Sequence, residues 1–258
     1  MRKMKKSRIL WLAVWLCLAL SGCGKSETAA EIMTKVQANQ QKNEAVQTYK
    51  MDGKIKMAAE GMTLDFPIIM TIQSQPADKQ GEPVLYFDLS LSFMGQSMNM
   101  KSCVQDQMLY TESDGERSRE PIDYNPESVA ELQQEMDLKK LYSVFTVKKT
   151  DNGYDLNFEA KDYGELAELI SLLGNAETDV EALEQMKEQF QTLEETTTLE
   201  QCKVNFQISK NYQMTGGVIL IETSAVEEGM TMNLSFELNL TVSTDLPMTE
   251  MDLSNWVI

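Results

Sequence analysis

Four cysteine thiols, at Cys17, Cys23, Cys103 and Cys202, are the side chains of this sequence most suited to covalent chemistry. The chain has no histidine, which removes the commonest general base and the commonest metal ligand. No Gly-x-Ser-x-Gly elbow, phosphate-binding glycine loop or zinc spacing of cysteines occurs. The 40 acidic residues are spread too widely for a catalytic pair to be assigned. We therefore expect that the protein is not an enzyme and that it uses no cofactor and no metal.

Cys23 closes an N-terminal segment that has three parts. Five basic residues precede an apolar run at 9–19, and the small residues of Leu20-Ser21-Gly22 then lead to the cysteine. This layout is typical of a secretory signal, because the apolar run is only about half of the ~20 residues that a membrane-spanning helix needs. An ordinary signal peptide that happens to contain a cysteine would show the same layout.

The four residues Leu20-Ser21-Gly22-Cys23 resemble the lipobox of bacterial lipoproteins. In that family the cysteine sulfur receives a diacylglyceryl group, and the chain is cut just before the cysteine. The resemblance implies a signal peptide at 1–22 and a lipidated Cys23 at the start of a short tether over 23–30. The remaining 31–258 are expected to form one domain, which the strand pattern described below predicts to be β-rich. It also implies a position on the extracytoplasmic face of the cell membrane, where two acyl chains are enough for stable anchoring.

The net charge of the chain limits its partners. The whole chain has a formal net charge of −17, and loss of 1–22 would remove five basic residues and no acidic one, which lowers that charge to −22. A strongly acidic surface repels nucleic acid and the phosphates of anionic lipids. We therefore expect no nucleic-acid partner. Contact with lipid is expected through the covalent anchor or through an apolar cavity.

Cys103 and Cys202 are a candidate disulfide pair. An even pair of cysteines in an extracytoplasmic compartment permits a disulfide. Alternation along the strands, however, places Cys202 on an apolar face and Cys103 on a polar face. Thiols on opposite faces of a regular sheet cannot be bridged, whereas a β-bulge could bring them together. The sequence leaves both alternatives open.

The first half of the chain is predicted to be one helix followed by strands. Thr28 and Glu31 form a capping box, and the helix that they begin is predicted to end at about Ala45. Its middle is polar, so it is expected to lie across a surface or a mouth. From Thr48 the apolar period is two, which predicts a meander of five strands. Pro67, in the second strand, predicts an edge strand or a bulge because proline has no N–H to donate.

The second half of the chain is predicted to contain three helices and five strands. The helices are expected at 125–141, 162–173 and 179–195, and the strands at 142–150, 154–158, 199–209, 213–223 and 230–242. The last strand alternates without a break over about twice the usual strand length. Trp256 is expected to pack back on the sheet.

About ten antiparallel strands and four helices predict an α+β fold that is mainly antiparallel β. We expect a half-open, curved β-barrel with helices covering its concave side. A lipobox, a short tether, a capped helix, a meander that begins near YKMDGKIKM and a closing run of long strands resemble the LolA and LppX/LprG-like lipoproteins, and also Gram-positive lipoproteins of the same layout. The resemblance implies an unclosed barrel with an apolar cavity that carries or senses lipid.

Methionine is abundant, and many of the 18 copies fall on the apolar strand faces. Flexible thioethers adapt to irregular partners such as acyl chains, but inward methionine also fills ordinary protein cores. The candidate cavity-lining residues are Met51, Met57, Met62, Met70, Met230, Met232 and Phe236. Two functions follow as alternatives. One is binding or carriage of a lipid or other apolar ligand, and the other is a non-catalytic envelope interaction or scaffold module with a protein partner.

Overall fold

One antiparallel sheet of 11 strands organises the protein. The computed structural model describes residues 27–40, 42–43, 45–75, 84–93, 95–122, 138–173, 192–227, 229–254 and 256. The strand order is β6-β5-β4-β3-β2-β1-β11-β10-β9-β8-β7, so the sheet is open and has β6 and β7 at its edges. The predicted class, mainly antiparallel β in a half-open curved sheet with few helices, is confirmed.

The strands and helices have the following bounds. The first meander comprises β1 (Gln47–Ala59), β2 (Met62–Gln75), β3 (Val84–Phe93), β4 (Gln96–Gln105), β5 (Met108–Ser113) and β6 (Glu116–Pro121). The second comprises β7 (Thr146–Thr150), β8 (Gly153–Ala160), β9 (Thr197–Ser209), β10 (Met214–Glu227) and β11 (Met230–Ser243). In the described part of the chain the helices are α1 (Ala29–Gln40), α2 (Leu138–Ser143) and α3 (Tyr163–Leu173), and 192–196 form a further helical turn.

The two meanders join through β1 and β11, the first and last strands of the sheet in chain order. Their register is regular from Thr48↔Ser243 to Ala59↔Met232. Because residues directly opposite in an antiparallel pair point to the same face, the alternating apolar residues of both meanders combine into one continuous apolar face. This pairing is what makes a single surface from segments almost 200 positions apart.

Where the chain is described, α1, α2 and α3 pack over the β7–β10 side of this apolar face, and Ile221 of β10 contacts the same core. Ile32 and Val36 of α1 pack with Leu156 of β8, and all three side chains are almost completely buried. The prediction that α1 lies across a surface is wrong, because its few apolar positions form one stripe with helical spacing and that stripe is buried in the core. The capping box is present: Thr28 N–H donates to Glu31 (2.8 Å), and Glu31 N–H donates to the Thr28 hydroxyl (3.2 Å).

Several boundaries differ from the sequence prediction. Helix α1 ends at Gln40 instead of Ala45, and the Asn43 side chain accepts a hydrogen bond from Ala45 N–H beyond that end, a local bond that competes with helix. Strand β6 was not predicted, because its residues are exposed, several are charged, and they lack apolar alternation. The sequence indicated this strand only through Asp114-Gly115, which form the left-handed turn between β5 and β6. The predicted helices at 125–141 and 179–195 lie mostly outside the described residues, but 138–143 and 192–196 are helical.

Pro67 lies where β2 changes from an edge strand into an inner strand. It pairs with Lys54 of β1, whereas pairing with β3 begins only at Ile68. The register of both ladders is regular, so the edge alternative is correct for 62–67 and the bulge alternative is not. Proline is compatible with this position because an edge strand has one side on which no N–H is needed for a ladder.

The C-terminal segment crosses the other face of the sheet. The buried Gln73 side chain donates to the carbonyl of Pro247 (3.0 Å) and accepts from Thr249 N–H (2.8 Å). Trp256 is buried against Tyr110 in an edge-to-face contact with ring centroids 5.5 Å apart. The prediction that Trp256 packs back on the sheet is confirmed.

Candidate functional site

The apolar face continues past the helices to one end of the sheet. This end, which we call the tip, carries the β1–β2 and β10–β11 turns. Two rows of side chains cross five neighbouring strands there, in the order β2-β1-β11-β10-β9. The tip row consists of Met62, Ala59, Met232, Ala225 and Thr197. The second row consists of Leu64, Met57, Leu234, Thr223 and Leu199.

Large and small side chains alternate along the tip row, and this alternation forms a groove. Ala59 and Ala225 leave depressions on both sides of the Met232 thioether. The groove has a volume of about 310 Å³ and reaches from Met62 on β2 to Thr197 on β9. None of its described lining residues carries a charge. We call this depression the tip groove.

The methionines of the tip groove are exposed to solvent. Met62 is 72% exposed, Met57 47% and Met232 40%. Large apolar side chains exposed together on one face are unusual in a soluble protein and mark contact sites for apolar partners. Deeper along the same face, Phe66 and Cys202 are buried, so the groove ends against the packed part of the sheet.

The structure brings only some of the predicted lining residues together. Met57, Met62 and Met232 line the tip groove. Met51 and Met70 face each other deeper in the sheet, where both are partly buried. Met230 is exposed at the start of β11, and Phe236 is partly buried beside Ile55. Periodicity identified the face, but it missed Ala59 and Ala225, whose small size shapes the groove.

A second depression lies at the side of the protein where the chain enters its first helix. It has a volume of about 660 Å³ between the start of α1 and the segment that joins α2 to β7. Its lining includes the carboxylates of Glu27 and Glu31 together with Tyr142 and Phe145. Because it combines charged and aromatic groups, it suits an apolar ligand less well than the tip groove does.

Glu27, the first described residue, is held by three partners. Its carboxylate accepts hydrogen bonds from the hydroxyls of Tyr154 (2.7 Å) and Tyr212 (3.0 Å), and it forms an ion pair with Lys35. The bonds from Lys35 and from the tyrosines lower the pKa of the Glu27 carboxyl from 4.5 to about 2. The Lys35 ammonium also lies 4.4 Å from the centre of the Tyr212 ring. These contacts fix the start of α1 to the β9–β10 turn, at the other end of β10 from the tip.

The two described cysteines do not form a disulfide. Cys103 on β4 and Cys202 on β9 are both free and buried, they occupy opposite faces, and five strands separate them. The candidate Cys103–Cys202 disulfide is therefore wrong. The strands between the two thiols hold them on opposite faces of the sheet, and no bulge brings them within bonding distance. Burial raises the pKa of both thiols, which makes them poor nucleophiles. Cys23 lies outside the described residues.

Metal-ligating groups and membrane-spanning helices are both absent from the described part of the chain. Within the described ranges, no group of three or more His, Cys, Asp or Glu residues has the geometry to hold a metal ion. In the same part of the chain, no helix is long and apolar enough to cross a bilayer.

Comparison with known proteins assigns no family to this chain. No protein-family model and no curated protein matches the sequence. Similar solved structures include LprF from Mycobacterium bovis, with 10% identity over 87% of this chain and 96% of that one and a TM-score of 0.39. They also include a DUF1329 family protein from Desulfovibrio piger, with 8% identity over the same shares and a TM-score of 0.24.

Proposed function

We propose that this protein is a membrane-anchored, extracytoplasmic lipoprotein that binds or carries a lipid or another apolar molecule on the apolar face of its sheet. In this proposal 1–22 is the signal peptide, the Cys23 sulfur carries the acyl chains, and 31–258 is one β-rich binding domain without catalytic activity. The observation that carries the proposal is the tip groove, where exposed thioethers surround an uncharged depression. Thioethers suit irregular apolar partners because they are flexible and polarizable.

The tip groove lies at the opposite end of the sheet from Glu27, the described residue nearest in sequence to the proposed anchor. Glu27 is only four residues after Cys23, so an extended chain between them spans at most about 14 Å. Glu27 is fixed to the β9–β10 turn, whereas the tip groove lies at the other end of the 14-residue strand β10, roughly 40 Å away at the usual rise per residue. The groove is therefore available to a ligand delivered from the side away from the anchor.

Native mass spectrometry tests the binding proposal. The Cys23→Ser chain, purified from bacterial cells without detergent, should carry an additional mass of lipid size that is lost on denaturation. A clean ligand-free mass, unchanged after incubation with a membrane lipid extract, would contradict the proposal.

Membrane fractionation tests the anchor separately. Cys23→Ser should move the protein out of the membrane fraction without altering its fold. Cys17→Ser is the matched control, because that cysteine lies within the proposed signal peptide and should leave anchoring unchanged. A Cys23→Ser chain that stays with the membranes would remove the lipoprotein assignment.

An envelope interaction module is the second candidate, and the free edge of β2 is the observation that favours it. Residues 62–67 pair with β1 on one side, but the ladder with β3 does not include them. An extended segment of another protein could add to such an edge as a further strand. A ligand-free protein that captures an envelope protein, and loses it when Thr63 is replaced by proline, would support this candidate.

A further inference from the structure

The dimensions of the tip groove fit one hydrocarbon chain. The groove crosses five strands, and four spacings of about 4.8 Å give a length of about 19 Å. Its volume of about 310 Å³ then corresponds to a cross-section of roughly 16 Å². Non-bonded carbon atoms approach each other to about 4 Å, so a cross-section of this size matches that of one hydrocarbon chain.

The same length sets the number of carbons. An extended polypeptide advances about 3.6 Å for three backbone bonds, which is about 1.2 Å per bond. A groove of about 19 Å therefore accommodates about 15 carbons of an extended, unbranched chain. A cross-section of roughly 16 Å² suits an unbranched chain better than a branched or ring-bearing one, which is wider than a single row of carbon atoms.

The surroundings of the groove disfavour a negatively charged headgroup. Glu60 directly follows Ala59 in the β1–β2 turn, and Glu194 and Glu195 precede Thr197; all three are exposed. Lys56 is the basic neighbour in sequence, but it lies on the opposite face of β1 with the Lys54–Glu237 ion pair. The whole chain adds a formal charge of −17.

Building on the proposed function, we infer that the tip groove takes a single unbranched hydrocarbon chain from an amphiphile whose headgroup is neutral or positively charged. The chain lies across β2, β1, β11, β10 and β9 between the tip row and the second row. The headgroup stays in solvent, since no described lining residue carries a charge that could pair with it. Acidic side chains beside the groove repel headgroups of net negative charge, such as a phosphate monoester or a carboxylate.

Four probes separate chain number from headgroup charge. Dodecyl maltoside, dodecyltrimethylammonium and dodecyl phosphate share one 12-carbon chain, and didodecanoyl phosphatidylcholine has two such chains on a headgroup of zero net charge. Each is titrated below its micellar concentration into the detergent-free Cys23→Ser chain. The neutral and cationic probes should bind, and the anionic probe should bind about tenfold more weakly at low salt. This difference in affinity should become smaller as salt is added, because salt screens the repulsion. The two-chain lipid should not bind in the groove.

Methyl NMR of the methionines locates the bound chain. The signals of Met57, Met62 and Met232 should shift on addition of dodecyl maltoside, whereas those of Met51 and Met70 should not. Ala225→Leu fills the groove and should weaken binding at least tenfold. Val226→Leu is the matched control, because the exposed Val226 points to the opposite face and does not line the groove.

The outcomes distinguish this inference from the proposed function. Binding of no probe and no cellular lipid would overturn both. Binding that favours dodecyl phosphate or the two-chain lipid, or that leaves the Met62 and Met232 signals unmoved, would overturn the single-chain inference while lipid binding itself remains. Equal loss of binding in Ala225→Leu and Val226→Leu would overturn the location at the tip groove.

Discussion

Chain length is the variable that tests the groove most directly. Burial of one methylene contributes about 0.8 kcal/mol. The tip groove is open, and its methionines are 40–72% exposed, so a chain lying in it buries about one side. Half of the full contribution, about 0.4 kcal/mol per methylene, corresponds to a twofold gain in affinity for each added carbon. Lengthening an alkyl maltoside from 8 to 12 carbons should therefore strengthen binding about 16-fold.

The gain should stop when the groove is full. Beyond about 15 carbons the chain would leave the second row for solvent, and affinity should stay level. Isothermal titration calorimetry of the alkyl maltoside series, each below its micellar concentration, measures both the slope and the plateau. Affinity that does not depend on chain length would refute the reasoning, because the headgroup would then supply the binding. A fourfold gain per carbon would show instead that the chain is enclosed on all sides.

Three further predictions concern the parts that support the site. Ile32→Ala should lower the free energy of unfolding by about 2–5 kcal/mol in urea denaturation, because this side chain is 0% exposed in the core. Thr34→Ala is the control: Thr34 lies on the exposed face of the same helix, so the free energy of unfolding should change by less than about 0.5 kcal/mol. The depressed pKa of Glu27 stabilises the fold above pH 4.5, and this contribution should disappear as the pH falls toward 2. Glu27→Gln should remove that part of the acid dependence. An unchanged acid-unfolding curve would contradict the contacts of Glu27 with Lys35, Tyr154 and Tyr212. Both buried thiols, Cys103 and Cys202, should react with a thiol reagent only after unfolding, and a disulfide in the oxidised native protein would contradict the sheet topology.

Local sequence signals predicted the elements whose causes are local. The capping box at Thr28 and Glu31 predicted the start of α1, and unbroken alternation predicted β11. The end of α1 was misplaced because the polar residues that follow are compatible both with an exposed helix and with local side-chain bonds such as that of Asn43, which lies beyond the end of the helix. Strand β6 was missed because an edge strand that avoids aggregation carries exposed charge, which removes the apolar alternation.

The candidate site depends on a pairing that no local pattern contains. Met62 and Met232 are 170 positions apart in the sequence, and only the register of β1 with β11 places Ala59 between them. A shift of that register by one residue would turn one set of side chains to the other face. The exposed thioethers and the small residues between them therefore become a site only through the joined meanders. It follows that a change that loosens the β1–β11 ladder should abolish apolar binding even where it leaves every lining residue in place.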